Sequence, residues 1–431
     1  MIGSDPVDFH DTEAGTSEAE AGGRYPDRNP RHRPHRIVRI ERRDTTEQPA
    51  PRRPRVVVAC DKFKGSATAL QVGRAIAAGI AAARPDAVVD VVPVADGGEG
   101  TLDAAIAAGF RRRTATVHGP TGVRSTAAFG VRGDEALIEM AAASGLDLVP
   151  PGVSAPLEAT SRGTGELIRA ALDEGVRRIV LGVGGSANTD GGAGLLAALG
   201  VRLLDDTGAD LSDGGGALER LDRVDVSALD PRLADVDVVL ASDVDNPLLG
   251  ERGAAAVFGP QKGANADDIR RLDAALGRFA SLLTEALGIE GTIERLPGAG
   301  AAGGVGFAVL ACLRTTRRSG ADVVLDLVDL PGHLMGADLA ITGEGSLDEQ
   351  TLGGKTPMGV LAAGRRASVP VLAVAGRSLL TRTQLDAAGF SGVFTLSALE
   401  PDSARSMAEA AELLRTVGEL IGSTLRPVAA S

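Results

Sequence analysis

The chain has 431 residues, 44% of them hydrophobic, which excludes whole-chain disorder and allows two or three domains with sizeable cores. A formal net charge of −12, 2% aromatic residues and no Trp argue against nucleic acid or an anionic membrane as the main partner. The two cysteines, Cys60 and Cys312, are far apart in sequence. They form neither a metal-ligand spacing nor a disulfide framework, so a cytoplasmic location is expected.

Residues 1–54 read as a disordered extension. The first twenty are acidic where a signal peptide would be basic, and a Pro/Arg/His mix without apolar periodicity follows. The folded body is expected to start at Arg55. Val56, Val57 and Val58 read as a buried strand, 67–83 as a helix with Leu70, Ile76 and Ile80 on one side, and 87–94 as a second strand whose loop leads into a helix from Thr101. This alternation predicts an α/β fold with a parallel sheet.

The texture changes from residue 113, where short strands separated by turns run to 139. A helix near 166–174, a strand at 179–181, a long glycine-rich loop, a strand at 237–241 and a helix at 267–287 follow. From about 290 the β/α rhythm returns, with strands at 339–342 and 371–375 and helices near 356–367 and 403–420. One domain inserted into another is the expected arrangement, with 55–112 and 290–431 forming a split domain and 113–289 the insertion. The charge-free run 296–313 has the length of a membrane span, but Pro297 and five glycines make it a poor one.

Lys and Arg total 45, yet only Lys62, Lys64, Lys262 and Lys355 are lysines. Where Arg has replaced Lys so widely, the survivors mark positions that need a compact ammonium. They lie in or beside glycine turns that follow strands, as do Asp61, Asp96, Ser242–Asn246 and Gly343–Glu344. The richest turn runs from Gly182 to Gly194. Its glycines can form an anion-binding nest, and Ser186, Asn188, Thr189 and Asp190 add polar groups. Carboxylates for Mg²⁺, ammonium groups for phosphate and an Asp to take a hydroxyl proton are the parts phosphoryl transfer needs.

Two near-matches to a dinucleotide fingerprint, Gly182-x-Gly184-x-x-Ala187 and Gly298-x-Gly300-x-x-Gly303, leave a nicotinamide oxidoreductase as an alternative. Gly354-Lys355-Thr356 has the tail of a Walker A loop without its first glycine. The spacings needed for a zinc site or an α/β-hydrolase elbow are missing.

In order along 56–420, the segments Asp61-x-Phe63-Lys64-Gly65-Ser66, Asp96-Gly97-Gly98-Glu99-Gly100-Thr101, Gly163-Thr164-Gly165-Glu166, Gly184-Gly185-Ser186-Ala187 with Asp190-Gly191-Gly192, Asp243-x-Asp245-Asn246-Pro247, Gly259-Pro260-Gln261-Lys262-Gly263 and Gly343-Glu344-Gly345 with Gly354-Lys355 resemble the glycerate kinase family. The resemblance implies two α/β domains, one flavodoxin-like and split in sequence, the other a mixed α/β insertion, with the active site in the cleft. It implies ATP- and Mg²⁺-dependent phosphorylation of D-glycerate, favouring the 2-hydroxyl over the 3-hydroxyl, and no nucleic-acid or membrane partner. A non-catalytic, ligand-sensing relative is a further alternative.

On this reading Asp190 is base or metal ligand, Asp245 a second metal ligand, and Asp96 a further catalytic carboxylate, while Lys64 and Lys355 balance phosphate charge. Gly184, Gly185, Ser186, Gly343, Glu344 and Lys262 are assigned to the cofactor, and Lys62, Ser66 and Asn246 to the substrate. Arg162, where many relatives carry Tyr, the order Asn188-Thr189, and Lys62, where Ser is frequent, depart from the family pattern.

Overall fold

The structure is a computed structural model that describes residues 52–426; most of the segment expected to be disordered, 1–51, lies outside the described residues. In chain order the strands are β1 (Arg55–Cys60), β2 (Val88–Val91), β3 (Arg111–His118), β4 (Arg124–Arg132), β5 (Glu135–Glu139), β6 (Arg178–Gly182), β7 (Arg202–Leu204), β8 (Arg223–Asp225), β9 (Asp237–Ala241), β10 (Arg314–Arg318), β11 (Leu339–Leu347), β12 (Val371–Ser378) and β13 (Gly392–Thr395). Arg52, assigned to the extension on sequence grounds, is tied to the body by an ion pair with Asp338.

The first sheet is parallel throughout and runs β13-β12-β11-β1-β2. Counting its five strands as they occur in sequence gives the order 2-1-3-4-5, which is the flavodoxin-like order. Both faces are covered, which is why β1 is an unbroken apolar run: Val56 and Val58 enter the core on one side, Val57 and Ala59 the core on the other. On the Val56 side, the helices Ala69–Ala83 and Ala410–Thr424 lie in close contact because both carry glycine where they touch.

The second sheet runs β10-β9-β6-β5-β4-β3. It is parallel from β10 to β5, and the hairpins β5-β4 and β4-β3 are antiparallel. The antiparallel ribbon β7-β8 stands apart from it. The expected return to the first domain at 290 does not match sheet membership, since β10 pairs along β9. The physical reason is the glycine-rich run before β10. Ala302, Gly303 and Gly304 take positive φ values of 53°, 66° and 93°, and the bend turns Val305, Phe307 and Val309 into the second sheet's core. Among the described residues, no helix is long and apolar enough to cross a membrane.

The chain passes between the sheets at two short helices, Thr101–Ala107 outward and Gly320–Leu327 on the return. Each serves both sheets. Ala104, Val324 and Leu325 join the first sheet's core, and Leu102, Ala105, Val323 and Leu327 join a cluster with Leu137, Val180 and Val239 of the second.

A Cβ added at Gly79 would collide with the backbone carbonyl of Arg415 on the facing helix. Gly79→Ala is therefore expected to cost roughly 2 kcal/mol and lower the melting temperature by several degrees. An unchanged melting curve would contradict this packing.

Candidate active site

In open α/β sheets, ligands bind beyond the carboxyl ends of the strands where the strand order reverses. Here that point is the crevice between β1 and β11. The backbone N–H of Asp61, the first residue past β1, donates to the Gly343 carbonyl at 2.8 Å and continues the ladder into the loop. The next residues, Lys62 to Ser66, turn over the crevice.

A cavity of about 730 Å³ opens there. It is lined by the charged Asp61, Lys62, Lys64, Asp96, Glu344 and Lys355 and by the apolar Phe63, Leu396, Pro401 and Met407, with serines among them. Lys355, one of the lining residues, immediately precedes the helix Thr356–Arg366. A second cavity of about 630 Å³ lies toward the other sheet, lined by Glu139, Gly184, Gly185 and Asp243 among others. Lys62, Lys64 and Asp96 line both cavities and form the neck between them.

The neck exists because backbones from the two sheets approach without side chains. A Cβ on Gly97, held at φ 88°, would lie 2.7 Å from Gly320 Cα, and one on Gly184 would lie 3.0 Å from Gly98 Cα. Lys62 is fixed across this junction, its Nζ donating to the Glu99 carbonyl at 2.7 Å and lying 3.9 Å from the Asp61 carboxylate.

Acidic groups dominate both cavities. Burial pushes Asp61 up to about 7; Lys62 opposes the rise, and the charges of Asp96 and Glu344 add to it. Burial also raises Glu344, against a hydrogen bond from Thr351 Oγ1 at 2.5 Å. Glu139 and Asp243 in the second cavity are raised for the same reason. Carboxylates that raise one another in this way are the electrostatic setting a divalent cation relieves. Among the described residues, however, no three such side chains already form a metal-binding cluster.

The structure separates the sequence-predicted residues into two sets. Lys62, Lys64, Ser66, Asp96, Glu344 and Lys355 line the first cavity, and Gly184 and Gly185 line the second. Gly343 stands in β11 just behind the first cavity. The others lie elsewhere. Asp190, expected as base or metal ligand, is fully buried, and both of its oxygens are occupied. Oδ2 accepts from the Ser161 N–H and hydroxyl at 2.8 and 2.7 Å and from the Gly194 N–H at 3.2 Å; Oδ1 accepts from the Asn188 amide at 2.7 Å and the Gly192 N–H at 3.0 Å. Glycines around this Asp supply N–H donors that tie its carboxylate into the turn.

Asp245, the expected second metal ligand, pairs with Arg317, and it is Asp243 that reaches the second cavity. The Asn246 amide donates to the Arg252 carbonyl at 2.8 Å. Lys262 and Ser186 are buried against each other, outside both cavity linings. The Gly182–Ala187 fingerprint does not open a helix directly; the helix begins only at Ala193, after the Asp190 turn.

Sequence reasoning noted Asp61 in the loop after the first strand but gave it no role. Its signal was an acid at the carboxyl end of a β-branched strand, beside one of the four lysines.

The model of the glycerate kinase family matches residues 56–426. The chain is 50% identical over 325 residues to a glycerate kinase of Bacillus subtilis, covering 75% of this chain and 85% of that protein. It is 46% identical over 325 residues to the glycerate 2-kinase of Escherichia coli, with the same coverage of 75% and 85%. A crystal structure of a chain assigned as glycerate kinase 2 from Salmonella typhimurium LT2 superposes with a TM-score of 0.76 at 44% identity, covering 86% of this chain and 98% of that one.

Two stability measurements test the site's electrostatics. Asp190→Asn would set an amide NH₂ against N–H donors in a buried pocket, so it should cost about 2–4 kcal/mol and lower the melting temperature. A variant that melts like the wild type would contradict the structural role. Asp61 lies the other way. Its folded pKa of about 7 exceeds the ordinary 3.8, so protonation favours the native state and that contribution is lost as pH rises between these values. Without divalent cations, Asp61→Asn should therefore raise the melting temperature more at pH 8 than at pH 4. An equal gain at both would contradict the burial penalty.

Proposed function

Because the chain belongs to the glycerate kinase family and is a phosphotransferase of that kind, we propose that it transfers the γ-phosphate of ATP to the 2-hydroxyl of D-glycerate, with Mg²⁺, at the neck between the two cavities. The observation that carries this reading is that two cavities of different character share Lys62, Lys64 and Asp96. The first cavity brings together what a nucleoside triphosphate requires: apolar side chains for a base, serines for its hydroxyls, and ammonium groups for its phosphates. The second offers what a hydroxy acid requires, with lysines for a carboxylate and carboxylates to accept from its hydroxyls.

In this arrangement Lys64 and Lys355 neutralise phosphate charge, and Asp96, which faces both cavities, takes the proton of the attacking hydroxyl. Mg²⁺ needs only one or two carboxylates when phosphates complete its shell. Asp61 and Glu344 would hold it; bound there, it supplies charge neutralisation on the transferring phosphoryl group. Drawing the acceptor hydroxyl and the phosphate into one small space supplies much of the rate, since the reactants are positioned before they meet.

The decisive assay follows ADP release with ATP, Mg²⁺ and D-glycerate, with phosphorus NMR of the product. ADP release that depends on glycerate, and phosphate on carbon 2, are expected. Phosphate on carbon 3 would overturn the regiochemistry, and an NAD(P)H absorbance change without ATP would overturn the reaction class. Lys64→Met and Asp96→Asn should each lower kcat by at least about 100-fold. Near-normal turnover in either would remove that residue from the mechanism.

A further inference from the structure

Three of the four lysines line the cavities, and the fourth, Lys262, does not. It is 6% exposed, on the short turn Pro260–Lys262, and its Nζ points into the back of the glycine-rich turn that follows β6. There it donates to the Ser186 hydroxyl at 3.1 Å and to the Asn188 carbonyl at 2.5 Å. Ser186 pairs in turn with Gly145 as an isolated bridge. Ala187 N–H donates to the Ser144 carbonyl at 2.9 Å, and Leu146 N–H to the Gly185 carbonyl at 2.8 Å. Gly145 and Gly185 both line the second cavity. A continuous run of hydrogen bonds thus leads from a buried ammonium to the wall of that cavity.

We infer that Lys262 is a positioning residue for the hydroxy-acid side of the reaction, pinning the Gly184–Asn188 turn from behind so that the glycine backbone keeps its place in the second cavity's wall. The inference rests on the proposed function, in which that cavity receives the acid.

The chemistry explains why lysine is kept at this position. Two acceptors on a tight turn are met by a compact ammonium with rotatable donors; a planar guanidinium fork would need more room and a different spacing. The same ammonium sets a positive charge near Asp190, whose carboxylate anchors the other end of the turn through the Asn188 amide at 2.7 Å. Burial pulls Lys262 down to about 8 and the Asp190 charge opposes that fall, so near neutral pH the ammonium keeps its charge. Gly263 follows in the left-handed region at φ 90°, which lets the chain turn away directly after the lysine.

The test uses the full-length enzyme and three variants: Lys262→Met, Ser186→Ala and the two combined. Turnover gives KM for D-glycerate and kcat, and calorimetry with a non-hydrolysable ATP analogue gives nucleotide affinity. Lys262→Met should raise the glycerate KM by about tenfold or more, with kcat and nucleotide Kd changed by no more than about threefold. Ser186→Ala, which removes one of the ammonium's two partners without touching a charge, should raise the glycerate KM by about threefold. The double variant should be no worse than Lys262→Met alone, because both changes release the same pin.

An unchanged glycerate KM in the folded variants, a loss confined to nucleotide affinity, or fully additive effects would overturn the inference. Should Lys262→Met fail to fold, Ser186→Ala decides on its own. Wild-type enzyme that does not turn over glycerate defeats the functional reading and this inference together. Wild-type turnover with unaltered variants defeats this inference alone.

Discussion

The two sheets meet where their backbones come within van der Waals contact, and that contact is glycine against glycine. Gly97 lies on Gly320, and Gly98 on Gly184. A methyl group at either crossing would push the loop after β2 away from the second sheet. With that loop go Asp96 and the Glu99 carbonyl that holds Lys62, and so two of the residues both cavities share. The helices Thr101–Ala107 and Gly320–Leu327, each buried against both sheets, keep the crossing in register. The charged neck is a consequence of this close approach.

Charge is the second constraint. Both cavities hold more acids than bases, and burial raises Asp61, Glu344, Glu139 and Asp243. Such a site resists binding anions such as ATP and glycerate unless cations enter with them. Three lysines at the cavities supply part of that positive charge, and a divalent ion accompanying the nucleotide would supply the rest. The fourth lysine, beneath the glycine turn, lies near the buried Asp190 carboxylate.

Much of this was legible in the chain. The β-branched run at Val56–Val58 marked the central strand, and three of the four sparse lysines marked the cavities, because a high-arginine composition leaves lysine where an ammonium is required. What could not be read was direction. Asp190, surrounded by glycines, resembled a metal-binding acid, yet the same glycines turn their N–H groups inward onto it. Asp243 and Asp245 are two residues apart, and only the path of the loop decides that the first faces the cavity and the second meets Arg317. The helix expected from 166 starts at Arg162; the hydroxyl of its N-cap, Ser161, is committed to Asp190 and the Leu195 N–H, so no side-chain cap marks the start. The expected boundary at 290 falls before β10, which pairs with β9 and whose arginines carry no apolar pattern to show which core it borders.

The central claim is that phosphate crosses from one cavity to the other at Lys62, Lys64 and Asp96. The most direct measurement is a crystal structure with a non-hydrolysable ATP analogue, Mg²⁺ and D-glycerate bound together. The account predicts the base against Leu396, Pro401 and Met407, the γ-phosphate at Lys64, and the glycerate beyond Asp96 beside Gly184 and Gly185. Both ligands in one cavity, or the triphosphate placed away from Lys64, would contradict it.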